Sequence, residues 1–111
     1  MPYADFEYLT REWARNRCII PNSNPSTQLL KAVSEMGELA DATIKGDRHG
    51  IRDGVGDVMV CLIIFCALQQ IDLTACLAEA YNEIKDRKGT MLPNGVFVKD
   101  LLETRDALHT A

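Results

Sequence analysis

Apolar residues recur at helical spacing along most of this chain, with polar residues between them. A period of about 3.6 residues predicts amphipathic helices rather than strands. Four helices are expected, over residues 5–17, 25–45, 51–70 and 72–88. A loop containing Pro21 follows the first helix, and a turn with a short extended piece follows the fourth. The pattern therefore predicts an all-α fold, a four-helix bundle.

Residues that typically begin and end helices support these boundaries. Asn24 precedes a proline and is expected to cap the second helix, and Asp72 is expected to cap the fourth. Gly89 is expected to end the fourth helix. Between the second and third helices, the turn KGDRHG contains Gly46 and Gly50, which favour a reversal of the chain. The two helices on either side of this turn should therefore face each other.

Each predicted helix has apolar positions that are expected to face the core. These stripes are Phe6, Leu9 and Trp13 in the first helix, Leu29, Ala32, Val33, Met36, Leu39, Ala40 and Ile44 in the second, and Leu73, Leu77, Ala80 and Ile84 in the fourth. The third helix is apolar on all sides over residues 58–68, which predicts that it is central and buried. Asp57 continues one face of that helix, where an unpaired acid is costly. Gly54 and Gly56 beside it lower helix propensity by about 1 kcal/mol each, and such departures are expected where function requires them.

The composition is that of one globular domain. The chain has 111 residues, of which 47% are hydrophobic and 25% charged, as is usual for single domains. We expect one domain over residues 1–111, with a helical core over about 5–89 and an extended tail over 90–111. The net charge of −4 argues against general nucleic-acid binding, because no basic stripe is present to pair with phosphates.

No segment has the pattern of a targeting or membrane sequence. The N-terminal residues lack the apolar segment of a signal peptide, and residues 58–68 fall short of the roughly 20 residues that span a bilayer. The cysteines show no C-x-x-C spacing, and we interpret all four as buried free thiols: Cys18, Cys61, Cys66 and Cys76. These observations predict a cytoplasmic protein that has no membrane partner.

Two pairs of acidic residues flank the turn between the second and third helices. Glu35 and Glu38 lie three positions apart, so that both occupy one helical face. Asp53 and Asp57 lie four positions apart and also share a face. Four converging carboxylates repel one another unless cations join them. The chain therefore contains a candidate metal site.

Polar stripes on two of the helices have both a functional and an ordinary interpretation. They consist of Gln28, Lys31, Glu35, Glu38 and Lys45 in the second helix, and of Asn82, Lys85, Arg87 and Lys88 in the fourth. The first stripe is also expected of a solvated face on which Lys31 pairs with Glu35. The second is also expected of cations that complement the negative end of a helix. The pattern alone leaves these alternatives open.

The site chemistry is limited by what the sequence lacks. Neither G-x-x-x-x-G-K-[ST] nor G-x-G-x-x-G occurs, and no Glu-x-x-His pair of the di-iron type is present. His49 and His109 do not favour a Ser-His-Asp hydrolase, and no cysteine–histidine cluster favours zinc. An all-oxygen acidic site suits Mg²⁺ or Mn²⁺, and Mg²⁺ usually also binds substrate phosphates. The sequence therefore indicates a metal-bridged polyphosphate.

Four segments, in this order and spacing, resemble the MazG-like all-α nucleoside triphosphate pyrophosphohydrolases. They are EWARNR, the pair Gln28 and Lys31 leading into SEMGELADATIKGD, RDGVGDVMVCLI, and AYNEIKDRKGTMLPNGVFVKD. The resemblance covers about residues 12–100 and is close to small phage and bacterial members. It implies Mg²⁺-dependent hydrolysis of a nucleoside triphosphate between the α and β phosphates, which yields the monophosphate and pyrophosphate. It also implies a homodimer or homotetramer.

The resemblance also implies roles for individual residues. Glu35, Glu38 and Asp57 match the metal ligands of the family, and we expect them to act in catalysis together with Lys85. The expected substrate-binding residues are Gln28, Lys31, Asn82, Lys85, Arg87 and Lys88. A metal-activated water is expected to attack the α-phosphorus, while the cations stabilise the leaving pyrophosphate.

The chain departs from the family pattern at two positions. Gly54 stands where the second motif commonly has glutamate, and Ser34 stands where an acid often precedes the first motif's glutamate. Asp53 lies about 40° around the helix from Asp57, and we predict that it supplies the missing acid as a ligand or through a metal-bound water. Alternatively, Asp53 only caps the third helix. The competing hypothesis for the whole chain is a catalytically inactive helical module that binds nucleotides or a partner.

Overall fold

The structure, a computed structural model, describes residues 1–100. In this range helices hold 73% of the residues, so the predicted helical fold is confirmed in its main feature. The elements are α1 (Tyr3–Asn16), α2 (Ile19–Asn22), α3 (Pro25–Lys45), α4 (Arg48–Gln69), α5 (Leu73–Ile84), β1 (Gly89–Met91) and β2 (Phe97–Lys99). The part of the predicted extended tail over residues 101–111 lies outside the described range.

Two features of this architecture were not predicted. The short helix α2 lies within the expected loop after α1, where the amide of Ser23 donates to the carbonyl of Ile19 at 2.8 Å. After α5, β1 and β2 pair antiparallel, with Thr90 opposite Val98. The expected extended piece is therefore a hairpin, and Gly95 at φ 88° permits its turn.

The ends of α3 follow the prediction, whereas the start of α4 does not. Asn24 Oδ1 accepts from the amide of Thr27 at 2.8 Å, and Gly46 ends α3 in the left-handed conformation at φ 70°. Asp47 then caps α4 by accepting from the amide of Gly50 at 3.0 Å. Because this cap was missed, α4 begins three residues earlier than expected. Gly50 lies in its first turn and takes no part in the reversal.

Helix α5 is shorter than predicted. It ends at Ile84, and residues 85–86 form a turn. The carbonyl of Lys88 accepts from the amide of Asp100 at 2.8 Å, which continues the hairpin ladder. Residues just before Gly89 are thus held in the hairpin, and Gly89 begins a strand rather than ending a helix.

The described residues form two compact units, Met1–Leu73 and a second that begins at Thr74. In the first unit α3 and α4 make the most extensive contact, α1 packs on α4, and α2 contacts both. Residues 58–68 of α4 are buried or half-buried at every position. This confirms the prediction of a central apolar helix. A four-helix bundle in a single domain over residues 1–111 stays a prediction.

The buried side of α1 differs from the predicted stripe. Its three predicted core residues are exposed, namely Phe6, Leu9 and Trp13. Glu7 and Ala14 are buried instead. Arg11 donates to Glu7 Oε1 at 2.7 Å, and this pairing allows a carboxylate to occupy a buried position. The predicted orientation of α1 was wrong because the spacing of apolar residues does not show that a charged residue such as Glu7 can be buried when it is paired.

The buried side of α3 is more polar than its apolar stripe predicts. Gln28, Ala32 and Ala42 are buried, and Glu35 and Leu39 are half-buried. The other stripe residues are exposed: Leu29, Val33, Met36, Ala40 and Ile44. The prediction therefore assigned the wrong one of two neighbouring faces of α3 to the core. The spacing of apolar residues along a helix does not show which face meets small residues on α4. The predicted stripe of α5 is also exposed or half-buried: Leu73, Leu77, Ala80 and Ile84.

The cysteines divide into two classes. Cys61 and Cys66 are buried as predicted, but Cys18 and Cys76 are exposed. Cys18 follows α1 at φ 62°, and Cys76 lies on α5, which buries none of its residues. Among residues 1–100, no single helix is long and apolar enough to cross a membrane, and α4 and α5 pass that test only as a bent pair.

Candidate metal centre

Close contact between α3 and α4 brings the two acidic motifs together. A Cβ added to Gly50 would lie 3.1 Å from Ala42 Cβ, and one added to Gly54 would lie 2.9 Å from Leu39 Cβ. These pairs show that the two helices run antiparallel, since the residue number rises on one helix as it falls on the other. Extending the same register by one turn places Glu35 opposite Asp57.

Glu35 is the most perturbed carboxylate of this group. A side-chain hydrogen bond with Glu38 raises the pKa of Glu35, and burial and the negative charges of Glu38 and Asp57 raise it further, while Lys31 lowers it. Its Oε2 is buried and has no hydrogen-bond partner among the described residues. A buried acceptor without a partner is costly in a folded protein. The structure thus brings Glu35, Glu38 and Asp57 together, and Lys31 offsets their mutual repulsion in part.

Asp57 lies at the mouth of a cleft rather than in the core. Asp57 is exposed, so the prediction that it carries a cost of burial was wrong. Glu35, whose Oε2 is buried, carries that cost instead. The cleft has a volume of about 290 Å³, and its charged lining is Glu38, Asp41, Lys45, Asp47, Asp53 and Asp57. Lys45 Nζ pairs with Asp41 Oδ2 at 2.8 Å. The cleft is therefore predominantly negative.

Asp53 lines this cleft but does not cap the helix. The cap of α4 is Asp47, so the alternative role predicted for Asp53 is wrong. Asp53 Oδ2 lies 3.4 Å from His49 Nε2, and both side chains are largely exposed. An exposed pair of this kind contributes little to stability. The carboxylate of Asp53 thus has no strong structural role that competes with a function in the cleft.

The donor set fits a hard divalent cation. Within residues 1–100, no three His, Cys, Asp or Glu side chains already surround a single point as metal ligands. Glu38 and Asp57 are exposed, however, and can rotate towards Glu35, whose Oε2 is an acceptor without a partner. Oxygen ligands that repel one another suit Mg²⁺ or Mn²⁺. The residues therefore fit a metal that is held by Glu35, Glu38 and Asp57.

Lys31 and Cys61 lie close to the cluster, and Gln28 lies two turns before Glu35 on α3. Lys31 is exposed and lies close enough to lower the pKa of Glu35. Gln28 is buried, and its Nε2 donates to Ser23 Oγ at 3.1 Å. Burial raises the pKa of the Cys61 thiol, as do the charges of Glu35 and Asp57, while Lys31 lowers it. Cys61 at the site was not predicted, although it lies one turn after Asp57 on the same face.

The four polar residues predicted at the end of the last helix belong to the second unit. Asn82 lies on α5, whereas Lys85 and Arg87 follow the end of that helix. Lys85 is exposed and Arg87 is half-buried. Lys88 adjoins β1. Their roles, like the substrate-binding roles of Gln28 and Lys31, stay predictions.

Glu35→Gln is expected to stabilise the metal-free protein, because it removes a carboxylate that its neighbours repel. The pKa of folded Glu35 lies above its ordinary value of 4.5. The ionised form therefore costs stability as the pH rises through the folded pKa, and no cost remains below the unfolded pKa. The Tm of the variant should accordingly exceed that of the wild type by an amount that grows as the pH rises above about 4.5 and through the folded pKa of Glu35.

Thermal unfolding in a chelator, with both proteins measured over this pH range, tests this expectation. Mn²⁺ should raise the Tm of the wild type more than that of Glu35→Gln. A variant that is less stable than the wild type at about pH 7 without metal contradicts the assignment of repulsion to Glu35.

This chain is similar to known proteins in both sequence and fold. Residues 23–92 match the family model of the MazG nucleotide pyrophosphohydrolase domain. An uncharacterized 18.2 kDa protein of Haemophilus phage HP1 is 32% identical over 72 residues. The match covers 62% of this chain and 44% of that protein, so the chain spans less than half the length of this curated relative.

The fold is similar to a solved phage structure. That structure is the cyanophage S-2L MazG-like pyrophosphohydrolase bound to dGDP and three catalytic Mn²⁺ ions per active site. The TM-score is 0.63 at 21% identity, and the match covers 90% of this chain and 98% of that chain. Since the family model matches more than half of the sequence, including both acidic motifs, this chain belongs to the MazG nucleotide pyrophosphohydrolase domain family.

Proposed function

We propose that this protein hydrolyses a nucleoside or deoxynucleoside triphosphate to the monophosphate and pyrophosphate. The observation that carries the proposal is the cluster of Glu35, Glu38 and Asp57, in which one buried oxygen has no partner. Membership of the MazG nucleotide pyrophosphohydrolase domain family supports the reaction class. The dGDP and Mn²⁺ bound by the cyanophage protein support a nucleotide substrate and a divalent metal.

Glu35, Glu38 and Asp57 would hold Mg²⁺, for which Mn²⁺ can substitute, and Asp53 would add a fourth acid. A bound divalent ion lowers the pKa of water and neutralises phosphate charge. In the metal-free protein, a hydrogen bond with Glu38, burial and the charges of Glu38 and Asp57 raise the pKa of Glu35, and a bound cation would favour its ionised, metal-binding form. Exposed Lys31 beside Glu35 is suited to meet a phosphate oxygen at the edge of the site. The negative cleft itself would repel a polyphosphate until cations are present.

A nucleotide screen tests the proposed function. Each of the eight common NTPs and dNTPs is incubated with the protein and Mg²⁺, and phosphate is measured with and without added inorganic pyrophosphatase. We expect phosphate only when pyrophosphatase is present, since the direct product is pyrophosphate. Phosphate without pyrophosphatase contradicts the proposed bond cleavage. Nucleotide binding without turnover of any substrate favours the inactive binding module instead.

Lys85→Ala and Arg87→Ala are each expected to lower kcat/KM by at least ~10-fold, if these cations stabilise the charge on the pyrophosphate leaving group. Their position after the end of α5 also allows a structural role, in which they only complement the helix C-terminus. Under that alternative, stability changes by a few tenths of a kcal/mol and kinetics stay unchanged. Steady-state kinetics together with thermal unfolding separates the two roles.

We also propose a cytoplasmic homodimer or homotetramer that binds neither nucleic acid nor a membrane. The support for an assembly is the exposed apolar face of α3, on which Val33 and Met36 are 63% and 51% exposed. Exposed apolar patches of this kind mark interfaces. Light scattering at micromolar concentration should give at least twice the mass of one chain, and Val33→Glu should reduce it. A wild-type monomer under these conditions contradicts the assembly.

A further inference from the structure

The backbones of α3 and α4 approach closely beside the acidic cluster, at Leu39 and Gly54. A Cβ added to Gly54 would lie 2.9 Å from Leu39 Cβ and 3.2 Å from Leu39 Cα. Carbon atoms prefer a separation of about 3.5–4.0 Å, and a Cα cannot rotate away as the end of a side chain can. Any residue other than glycine at position 54 must therefore move one helix relative to the other.

This requirement is specific to one glycine of α4. A Cβ added to Gly56 would meet no atom within 4 Å. Gly54 is buried and Gly56 is exposed. Both residues are helical and both cost helix propensity relative to alanine, so that cost alone does not distinguish them. Close packing against α3 therefore explains the glycine at position 54 but not the glycine at position 56.

The close approach is adjacent to two of the metal-binding candidates. Glu38 directly precedes Leu39, and Asp57 lies one turn after Gly54. Both carboxylates line the same cleft. Helices move as stiff units over a single turn, so a shift at the contact of Leu39 with Gly54 also moves these two carboxylates relative to each other.

We propose that Gly54 is a positioning residue, which lets α4 approach Leu39 and thereby sets the separation between the carboxylates of Glu38 and Asp57. That separation selects the size of the cation. Mg²⁺ binds oxygen at about 2.0–2.1 Å, whereas Ca²⁺ accepts about 2.3–2.6 Å and a more flexible geometry. The close helix contact therefore favours the smaller ion. This inference rests on the proposed metal-dependent function.

The test measures binding of Mg²⁺, Mn²⁺ and Ca²⁺ to the nucleotide-free protein by isothermal titration calorimetry. Gly54→Ala should weaken binding of Mg²⁺ and Mn²⁺ by at least ~10-fold, as loss of a supporting residue around a metal site does. Binding of Ca²⁺ should weaken less, so that the preference for Mg²⁺ over Ca²⁺ falls. Gly56→Ala is the matched control, and it should retain the affinities of the wild type.

A second variant removes the side chain at position 39 of α3 to make room for the Cβ added at position 54 of α4. In Leu39→Gly combined with Gly54→Ala, the 2.9 Å contact with Leu39 Cβ is removed while the 3.2 Å contact with the Cα remains, so the ion preference of the wild type should return in part. This comparison, made against Leu39→Gly alone, also serves if Gly54→Ala does not fold. Equal losses for all three ions, or affinities of Gly54→Ala that match those of Gly56→Ala, overturn the inference but leave the proposed function intact. A wild-type protein that binds none of these ions also overturns the inference, whereas the proposed function fails only if the nucleotide screen shows no turnover.

Discussion

Glu38→Gln is expected to lower kcat by at least ~10³-fold, because it removes a charged metal ligand while keeping nearly the same shape. The side chain of Glu38 is hydrogen-bonded to that of Glu35. It also lines the cleft that contains Asp57. Since glutamine cannot supply the negative charge, the rise in Tm caused by Mn²⁺ should also be lost. Circular dichroism should show an unchanged helix content, since Glu38 is exposed.

A suitable control for Glu38→Gln is Glu12→Gln, on α1. Glu12 pairs with Arg15 on its own helix and does not line the cleft. The Glu12→Gln variant should keep both kcat and the metal-induced Tm shift close to the values of the wild type. Activity of Glu38→Gln within about tenfold of the wild type would show that the site is misplaced.

Asp53→Asn is expected to lower activity by at least ~10²-fold with an unchanged Tm. Asparagine keeps the shape of the side chain but removes its charge, so an acid that acts on the metal or on its bound water is lost. A structural effect is small, because Asp47 caps α4 and the pair of Asp53 with His49 is exposed. Kinetics and thermal unfolding, both with Mg²⁺, measure the two quantities.

The cleft contains its own control for this variant. Asp41 also lines it, but Asp41 pairs with Lys45 at 2.8 Å. Asp41→Asn should therefore retain activity within a few-fold of the wild type, since its charge is already neutralised. If Asp53→Asn and Asp41→Asn behave alike, Asp53 is only one of several charges in the cleft and does not replace the acid that the family pattern has at Gly54.

The helices could be predicted because they depend on local spacing, and the same spacing indicated the acidic pairs, whose role as a site stays a prediction. The order of apolar residues gave the central helix, and capping residues such as Asn24 gave the ends of α3. The cap at Asp47 was missed because the glycines around it favoured a turn. The end of α5 was missed because it is decided by pairing of the hairpin, a contact between residues ten positions apart such as Gly89 and Lys99.

Packing faces could not be predicted from periodicity alone. On α3 the most apolar face is largely exposed, while a face that contains Gln28 and Glu35 packs inward. What decides this is the partner surface, where Gly54 admits the backbone of Leu39. The same contact changes the interpretation of Gly54. In the sequence, Gly54 occupies the position where the family pattern commonly has an acid. In the structure, the missing side chain lets α3 and α4, which carry the remaining acids, approach closely.

Under the proposed function, water attacks the α-phosphorus of a nucleoside triphosphate at the cluster of Glu35, Glu38 and Asp57. The most direct test is turnover in ¹⁸O-labelled water with Mg²⁺, followed by mass spectrometry of both products. We expect one labelled oxygen in the nucleoside monophosphate, unlabelled pyrophosphate, and no labelled product from Glu38→Gln. Label in the pyrophosphate would contradict attack at the α-phosphorus, and equal labelling by Glu38→Gln would contradict the site.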